Sequence, residues 1–185
     1  MKKTQKNAVV LFGSPKDNGF TAQLLNKFLS ELNEYKITII DTYKENINPC
    51  TGCGICKLAE SCKYHDLDEF DYMLRTTDLL IVATPVYNLS FPAPLKSVFD
   101  RMQRYFSARF FQNKKPPVEK RKKAVLLLTS GSDDENGPQI IISQLKMIFT
   151  VLNASLDYTI IWKNTDKNTS INKLVPTIEK IANLL

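Results

Sequence analysis

The stretch Val9–Thr21, reading VVLFGSPKDNGFT, constrains this chain most. A short apolar run ends in a polar loop carrying Gly13, Ser14, Lys16, Gly19 and Thr21. An amphipathic pattern follows at once, with Leu24, Leu25, Phe28, Leu29 and Leu32 on one stripe. The order strand, loop, helix sets the unpartnered first N–H groups of a helix, and the positive end of its dipole, beside a strand end. Such an end holds a phosphate without a metal. A plain strand-to-helix turn capped by Ser14 or Thr21 is the other reading of the same residues.

The alternation then repeats. Asn7–Phe12, Lys36–Asp41, Leu79–Thr84, Ala124–Thr129 and Leu156–Trp162 read as strands, short and continuously apolar as in a sheet covered on both faces. Thr21–Leu32, Asp66–Arg75, Ala93–Tyr105, a segment from about Pro138 to Leu152, and Ile171–Leu184 read as helices. Pro138 suits a first helical turn, and Pro176 leaves the start of the last helix open. Five strands alternating with five helices predict an α/β fold: a flavodoxin-like, doubly wound, five-stranded parallel sheet of order 2-1-3-4-5 with helices on both faces. Its ligand belongs beyond the carboxyl ends of strands one and three, where loops 13–21, 84–92 and 129–137 converge. Phe106–Lys123 is the longest irregular stretch, a flap or a subunit contact.

A length of 185 residues predicts a single domain over 1–185. No apolar run is long enough to cross a bilayer, and the basic start Met1–Lys6 leads into no signal-type core. A cytoplasmic protein without a membrane partner is expected, in which the sequons at Asn88, Asn153 and Asn168 carry no meaning. The net charge of +6 is concentrated in Lys114–Lys115 and Lys120–Lys123. No base-stacking motif accompanies it, so a solvated loop is expected rather than a nucleic-acid surface.

The first loop matches neither G-x-x-x-x-G-K-[ST] nor G-x-G-x-x-G, which removes support for a nucleoside triphosphate or a dinucleotide at this strand. A terminal phosphate held by backbone N–H groups, by Ser14 and Thr21, and by the Lys16 charge remains. In the second loop, Thr84–Pro92, a proline stiffens the strand end and Tyr87 offers a ring to a flat ligand. The amides of Tyr87, Asn88 and Leu89 stand at such a ligand's edge.

Gly13-Ser14-Pro15-Lys16 through Gly19 and Thr21, then Pro85-Val86-Tyr87, then Leu95-Lys96 through Asp100-Arg101, together resemble the NADPH-dependent FMN reductase family over about residues 7–162. The resemblance implies an FMN-containing oxidoreductase that takes hydride from NAD(P)H and passes electrons to a small-molecule acceptor or a redox partner protein, with chemistry carried by the flavin and no catalytic side chain. It implies that Ser14, Lys16, Asn18, Phe20 and Thr21 hold the FMN phosphate, that Pro85, Val86, Tyr87 and Asn88 hold the isoalloxazine, and that Ser130 and Gly131 lie against it. Lys16 stands where arginine is usual in the family and Phe20 where asparagine is usual. The family also implies a homodimer or higher homo-oligomer, with the aromatic and basic segment 105–123 as the candidate interface.

All four cysteines fall in one run, C-x2-C-x2-C-x5-C, at Cys50, Cys53, Cys56 and Cys62. The clustering suggests a metal site or reactive thiols. The same spacing is similar to that of iron–sulfur flavoproteins, which implies a [4Fe-4S] cluster on these four residues and an electron-carrier role. Empty reduced thiols, a zinc site and a disulfide are the alternatives, and a non-enzymatic flavodoxin-like binding domain is the alternative for the whole chain. Lys96 and Asp100, at i and i+4, are expected to form a structural ion pair. His65 is expected at the surface or at a helix start rather than in a catalytic role. Asp133, Asp134 and Glu135 belong to the third loop with no orientation fixed by the sequence.

Overall fold

The computed structural model describes residues 5–167 and 169–185; residues 1–4 of the basic start and the sequon asparagine Asn168 lie outside it. Strands β1 (Lys6–Phe12), β2 (Tyr35–Asp41), β3 (Leu79–Pro85), β4 (Lys122–Thr129) and β5 (Ala154–Trp162) form one sheet of order β2-β1-β3-β4-β5. Every neighbouring pair is parallel, as expected from the alternating apolar runs. In chain order the helices are α1 (Phe20–Leu29), α2 (Ile55–Leu58), α3 (Asp68–Thr76), α4 (Ala93–Arg101), α5 (Gln103–Phe110), α6 (Asn136–Val151) and α7 (Val175–Asn183).

Each strand feeds two cores. Ala8, Val10 and Phe12 pack with Leu24 and Phe28 of α1 and Ile178 of α7. Val9 and Leu11 pack with Phe70 of α3, Leu95 of α4 and Leu145 of α6. Burial on both faces is why the inner strands β1, β3 and β4 read as unbroken apolar runs rather than as alternating ones.

The helix expected over 93–105 is two helices. It breaks at Met102, and α5 continues to Phe110, so the irregular stretch begins later than the sequence suggested. The break lets Tyr105 enter the core, where its hydroxyl donates to Asp71 Oδ1. It also leaves Arg101 and Arg104 on the wall of one cavity. The last helix likewise starts late, at Val175, after a 3-10 turn over Ile171–Leu174. Pro176 sits in its first turn, where a missing N–H costs nothing. No helix among the described residues is long and apolar enough to cross a membrane.

Candidate functional site

Parallel strands end together, so the loops after β1, β3 and β4 meet at one edge of the sheet. There they line a cavity of about 670 Å³ with the segment after β5. Of the residues singled out in the sequence, Ser14, Lys16, Asn18, Phe20, Thr21, Pro85, Val86, Tyr87 and Gly131 line it. Asn88 and Ser130 do not; Asn88 sits in the turn behind Tyr87, and Ser130 is buried, its backbone bonded to Trp162 and Thr165.

One pole of the cavity suits an anion. The residue before α1, Gly19, makes no side-chain cap, and neither Ser14 nor Thr21 caps the helix. The N–H groups of Phe20, Thr21 and Ala22 therefore have no acceptor within the helix. The hydroxyl of Thr21 is committed to Thr129 Oγ1 at 2.7 Å, which pins the start of α1 to the end of β4. Asp17, the one acid of this loop, is neutralised by Lys44 at 2.8 Å. Lys16 is exposed and has no carboxylate partner among the described residues, so its charge is uncompensated. The Phe20 ring packs edge-on against Trp162 with centroids 5.0 Å apart, contributing backbone and packing rather than a polar side chain.

The other pole is built by the β3 loop. Val86 N–H donates to Thr129 O at 2.8 Å, and Tyr87 and Ser90 exchange two backbone hydrogen bonds. Asn88 and Leu89, between them, have φ of 49° and 61°, a tight turn with both central residues left-handed. The Tyr87 amide is thus consumed inside the turn, contrary to the sequence reading. Tyr87 is 43% exposed, with its ring at the cavity. Tyr43, from the loop after β2, is close enough for its hydroxyl pKa to be raised by burial and, less, by Tyr87.

The sequence reading missed Gln23, Thr129, Thr165 and Asp166 on the same wall. Thr165 and Asp166 belong to a 3-10 turn beyond β5, bonded through their amides to Ser130 O and Gly131 O. The sheet order alone predicts that β5 ends at the same edge, and that was the available signal. The acidic run of the third loop faces elsewhere: Asp133 and Glu135 pair with Lys163, and Asp134 Oδ2 accepts from Gly137 N–H at 3.1 Å. Lys96 and Asp100 form the expected exposed ion pair, and His65 pairs with Asp68 at 2.7 Å near the start of α3.

A second cavity, of about 290 Å³, is lined by all four cysteines. Gly52 and Gly54 turn the loop with φ of 65° and 80°, a conformation open to glycine without steric cost. Cys56 Sγ lies 3.4 Å from Ser107 Oγ, and its carbonyl accepts from Gln112 Nε2 at 2.9 Å. All four cysteines are free thiols, and no three His, Cys, Asp or Glu side chains among the described residues converge as a single metal ion requires. Arg101, at the end of α4, ties the loop at both ends: Nη1 donates to Asn48 O at 2.9 Å and Nη2 to Tyr64 O at 2.8 Å. Helix α4 thus runs from the loop of the first cavity to the wall of the second, nine residues or about 13 Å.

The fold has close relatives in known structures. An NAD(P)H:quinone oxidoreductase from Methanothermobacter marburgensis superposes with a TM-score of 0.75 over 96% of this chain and 98% of that one, at 19% identity. In sequence, the chain is 35% identical over 101 residues to an iron-sulfur flavoprotein of Archaeoglobus fulgidus, covering 53% of this chain and 46% of that protein. It is 36% identical over 80 residues to an FMN-dependent NADH:quinone oxidoreductase of Coprothermobacter proteolyticus, covering 37% of this chain and 40% of that protein. The match spans about half or less of the length of these curated relatives. The profile of NADPH-dependent FMN reductases covers residues 7–156, from the first strand into the last and across every loop that lines the larger cavity except the segment after β5; the chain belongs to the NADPH-dependent FMN reductase family.

Proposed function

We propose that this chain is an FMN-dependent oxidoreductase that takes hydride from NAD(P)H and passes electrons to a small-molecule acceptor or a redox partner protein. One observation carries the reading: an uncapped helix start and the Tyr87 turn open into the same cavity. The residues fit FMN. The first-turn amides of α1, Ser14, Asn18 and the uncompensated Lys16 would hold the phosphate, with Phe20 and Thr21 supplying backbone N–H. Pro85, Val86 and Tyr87 would hold the ring system, with Gly131 on the same wall. When bound, FMN supplies hydride acceptance and the release of electrons singly or in pairs. The names of the quinone oxidoreductase relatives support a quinone-class acceptor.

The test is FMN titration of the purified chain followed by anaerobic mixing. One FMN per chain should bind with quenched fluorescence, and NADH or NADPH should bleach it. Lys16→Ala should weaken binding about tenfold, the size of one charge-assisted contact. A chain that takes up no FMN, or whose bound FMN neither nucleotide bleaches, overturns the proposal.

A second reading rests on the cysteine cavity: the chain also carries a [4Fe-4S] cluster on Cys50, Cys53, Cys56 and Cys62. Four thiols reach one cavity, and two buried arginine N–H groups on its wall have no partner, which fits a sulfur-rich anion. The iron-sulfur flavoprotein names among the relatives support it. When bound, such a cluster supplies one-electron storage. Anaerobic purification with iron and sulfide analysis tests it; full reconstitution without bound iron overturns it. The proposal extends to a cytoplasmic homodimer joined through residues 105–123, where Phe106, Phe110 and Phe111 are exposed. A monomer at micromolar concentration in size-exclusion chromatography overturns that part.

A further inference from the structure

Among the described residues, two buried side-chain nitrogen atoms have no hydrogen-bond partner: Nε of Arg101 and Nε of Arg104. Both arginines stand on the wall of the cysteine cavity. Arg101 is 4% exposed. Its other nitrogens are committed, to Asn48 O, to Tyr64 O and to Asp66 Oδ1, the last at 2.7 Å. Arg104 directs Nη2 to Glu60 O at 3.2 Å, and Asp68 and Asp71 lie 3.9 and 3.5 Å from its terminal nitrogens. Asp66, Asp68 and Asp71 thus face the Nη atoms of these two side chains.

A buried charged N–H left unpaired costs more than a neutral one. Both side chains also line a small pocket beside Asp71 and Tyr105, of about 10 Å³; only the cysteine cavity, of about 290 Å³, has room for an acceptor group. Four thiols line that cavity, together with Thr51, Tyr64, Gln103 and Ser107.

We propose that Arg101 and Arg104 are positioning residues for the iron group of the cysteine cavity: their Nε–H groups donate to its sulfurs, and their charges favour its reduced form. The proposal rests on the iron–sulfur reading above. A four-iron core in its 2+ state with four thiolates carries a net charge of about −2, and one electron takes it to about −3 with no bond broken and no proton moved. Two fixed cations on the wall stabilise the more negative form more strongly, and hydrogen bonds to the sulfurs act in the same direction. Arg101 also joins the chain before Cys50 to the chain after Cys62, so the residue that closes the loop is the one that sets its charge.

The test uses the full chain reconstituted anaerobically with iron and sulfide, as wild type, Arg101→Lys, Arg101→Gln and Arg104→Gln. Dithionite titration followed by electron paramagnetic resonance reads the cluster midpoint, and a chelator reads iron retention. Arg104→Gln and Arg101→Gln should shift the midpoint to more negative values. Arg101→Lys, which keeps the charge and loses the Nε donor, should shift it less. Iron retention should fall roughly 10- to 100-fold in the glutamine variants, the usual effect of removing an outer-shell partner. FMN stoichiometry, read on the same samples, should not change. Variants that load iron and show the wild-type midpoint overturn this proposal alone. A wild-type chain that loads no iron overturns the iron–sulfur reading and this proposal with it.

Discussion

Arg101 Nη2 and Asp66 Oδ1 lie 2.7 Å apart, and the pair fastens the return arm of the cysteine loop to the end of α4. Burial alone would raise the Asp66 carboxyl. The Arg101 guanidinium and the two Asn48 donors, at 2.7 and 2.9 Å, reverse this and hold it at about 2, below the ordinary 3.8. The folded pKa is depressed, so the stabilisation is complete above about pH 4 and is lost as the pH falls toward 2. Its size is about 2 kcal/mol. Asp66→Asn should be destabilised by at least that much at pH 7, because Arg101 is left buried with its charge. Its urea-unfolding free energy should also lose the part of the pH dependence between 4 and 2 that belongs to this carboxyl. A variant as stable as wild type at pH 7 would show that the pair holds nothing.

The Thr21–Thr129 bond makes a sharper energetic test, because both hydroxyls are buried and pair with each other. Removing one leaves the other unsatisfied, which costs about 1–3 kcal/mol. Removing both leaves two apolar groups in contact and costs much less. Thr21→Val and Thr129→Val should each lower stability by that amount, and the double variant should be nearer wild type than either. Denaturant melts of the four proteins give the coupling directly; additive losses would mean that the two hydroxyls act independently.

The sheet and its order were legible because the inner strands are short, continuously apolar runs and each strand is separated from the next by an amphipathic helix. The three loops were legible for the same reason: strand order fixes which carboxyl ends meet. What escaped depended on contacts between distant residues. The break at Met102 accompanies the Tyr105–Asp71 contact in the core, and no periodicity in residues 93–105 announces it. The four-residue helix at Ile55–Leu58 is shorter than any period can reveal. Asp166 enters the larger cavity only because its amide binds Gly131 O across from β4. The loss of the Tyr87 amide to Ser90 depends on a turn with Leu89 at positive φ, which leucine seldom signals.

Gly137, in the first turn of α6, meets the loop that would hold the flavin ring. A Cβ there would stand 2.7 Å from Val86 Cγ1 and 3.5 Å from Leu89 Cδ2. Elsewhere in a helix, alanine for glycine gains roughly 0.5–1 kcal/mol. Here that gain is offset by displacement of Val86, which lines the cavity. Gly137→Ala should therefore melt within about 1 kcal/mol of wild type, while FMN binding weakens several-fold. Equal FMN affinity in the two proteins would mean that the Val86 side chain yields without moving the loop.

Leu89 presents the opposite case, a large residue in a conformation that suits glycine. Its φ of 61° places a branched side chain in the left-handed region, and it is 48% exposed, so packing returns little. Strain of this kind costs about 1–3 kcal/mol and persists where the surroundings hold it. The surroundings here are the paired Tyr87–Ser90 hydrogen bonds. Leu89→Gly relieves the strain but gives the unfolded chain more freedom, which takes back roughly 0.5–1 kcal/mol. The net expectation is a gain of up to about 1 kcal/mol in stability. The same change loosens the turn that carries Tyr87, so FMN should bind more weakly and with a faster off-rate. Denaturant melts without cofactor and stopped-flow FMN release, measured on one preparation, separate the two effects. A destabilised Leu89→Gly protein would show that the leucine side chain contributes more by its contacts than its backbone costs.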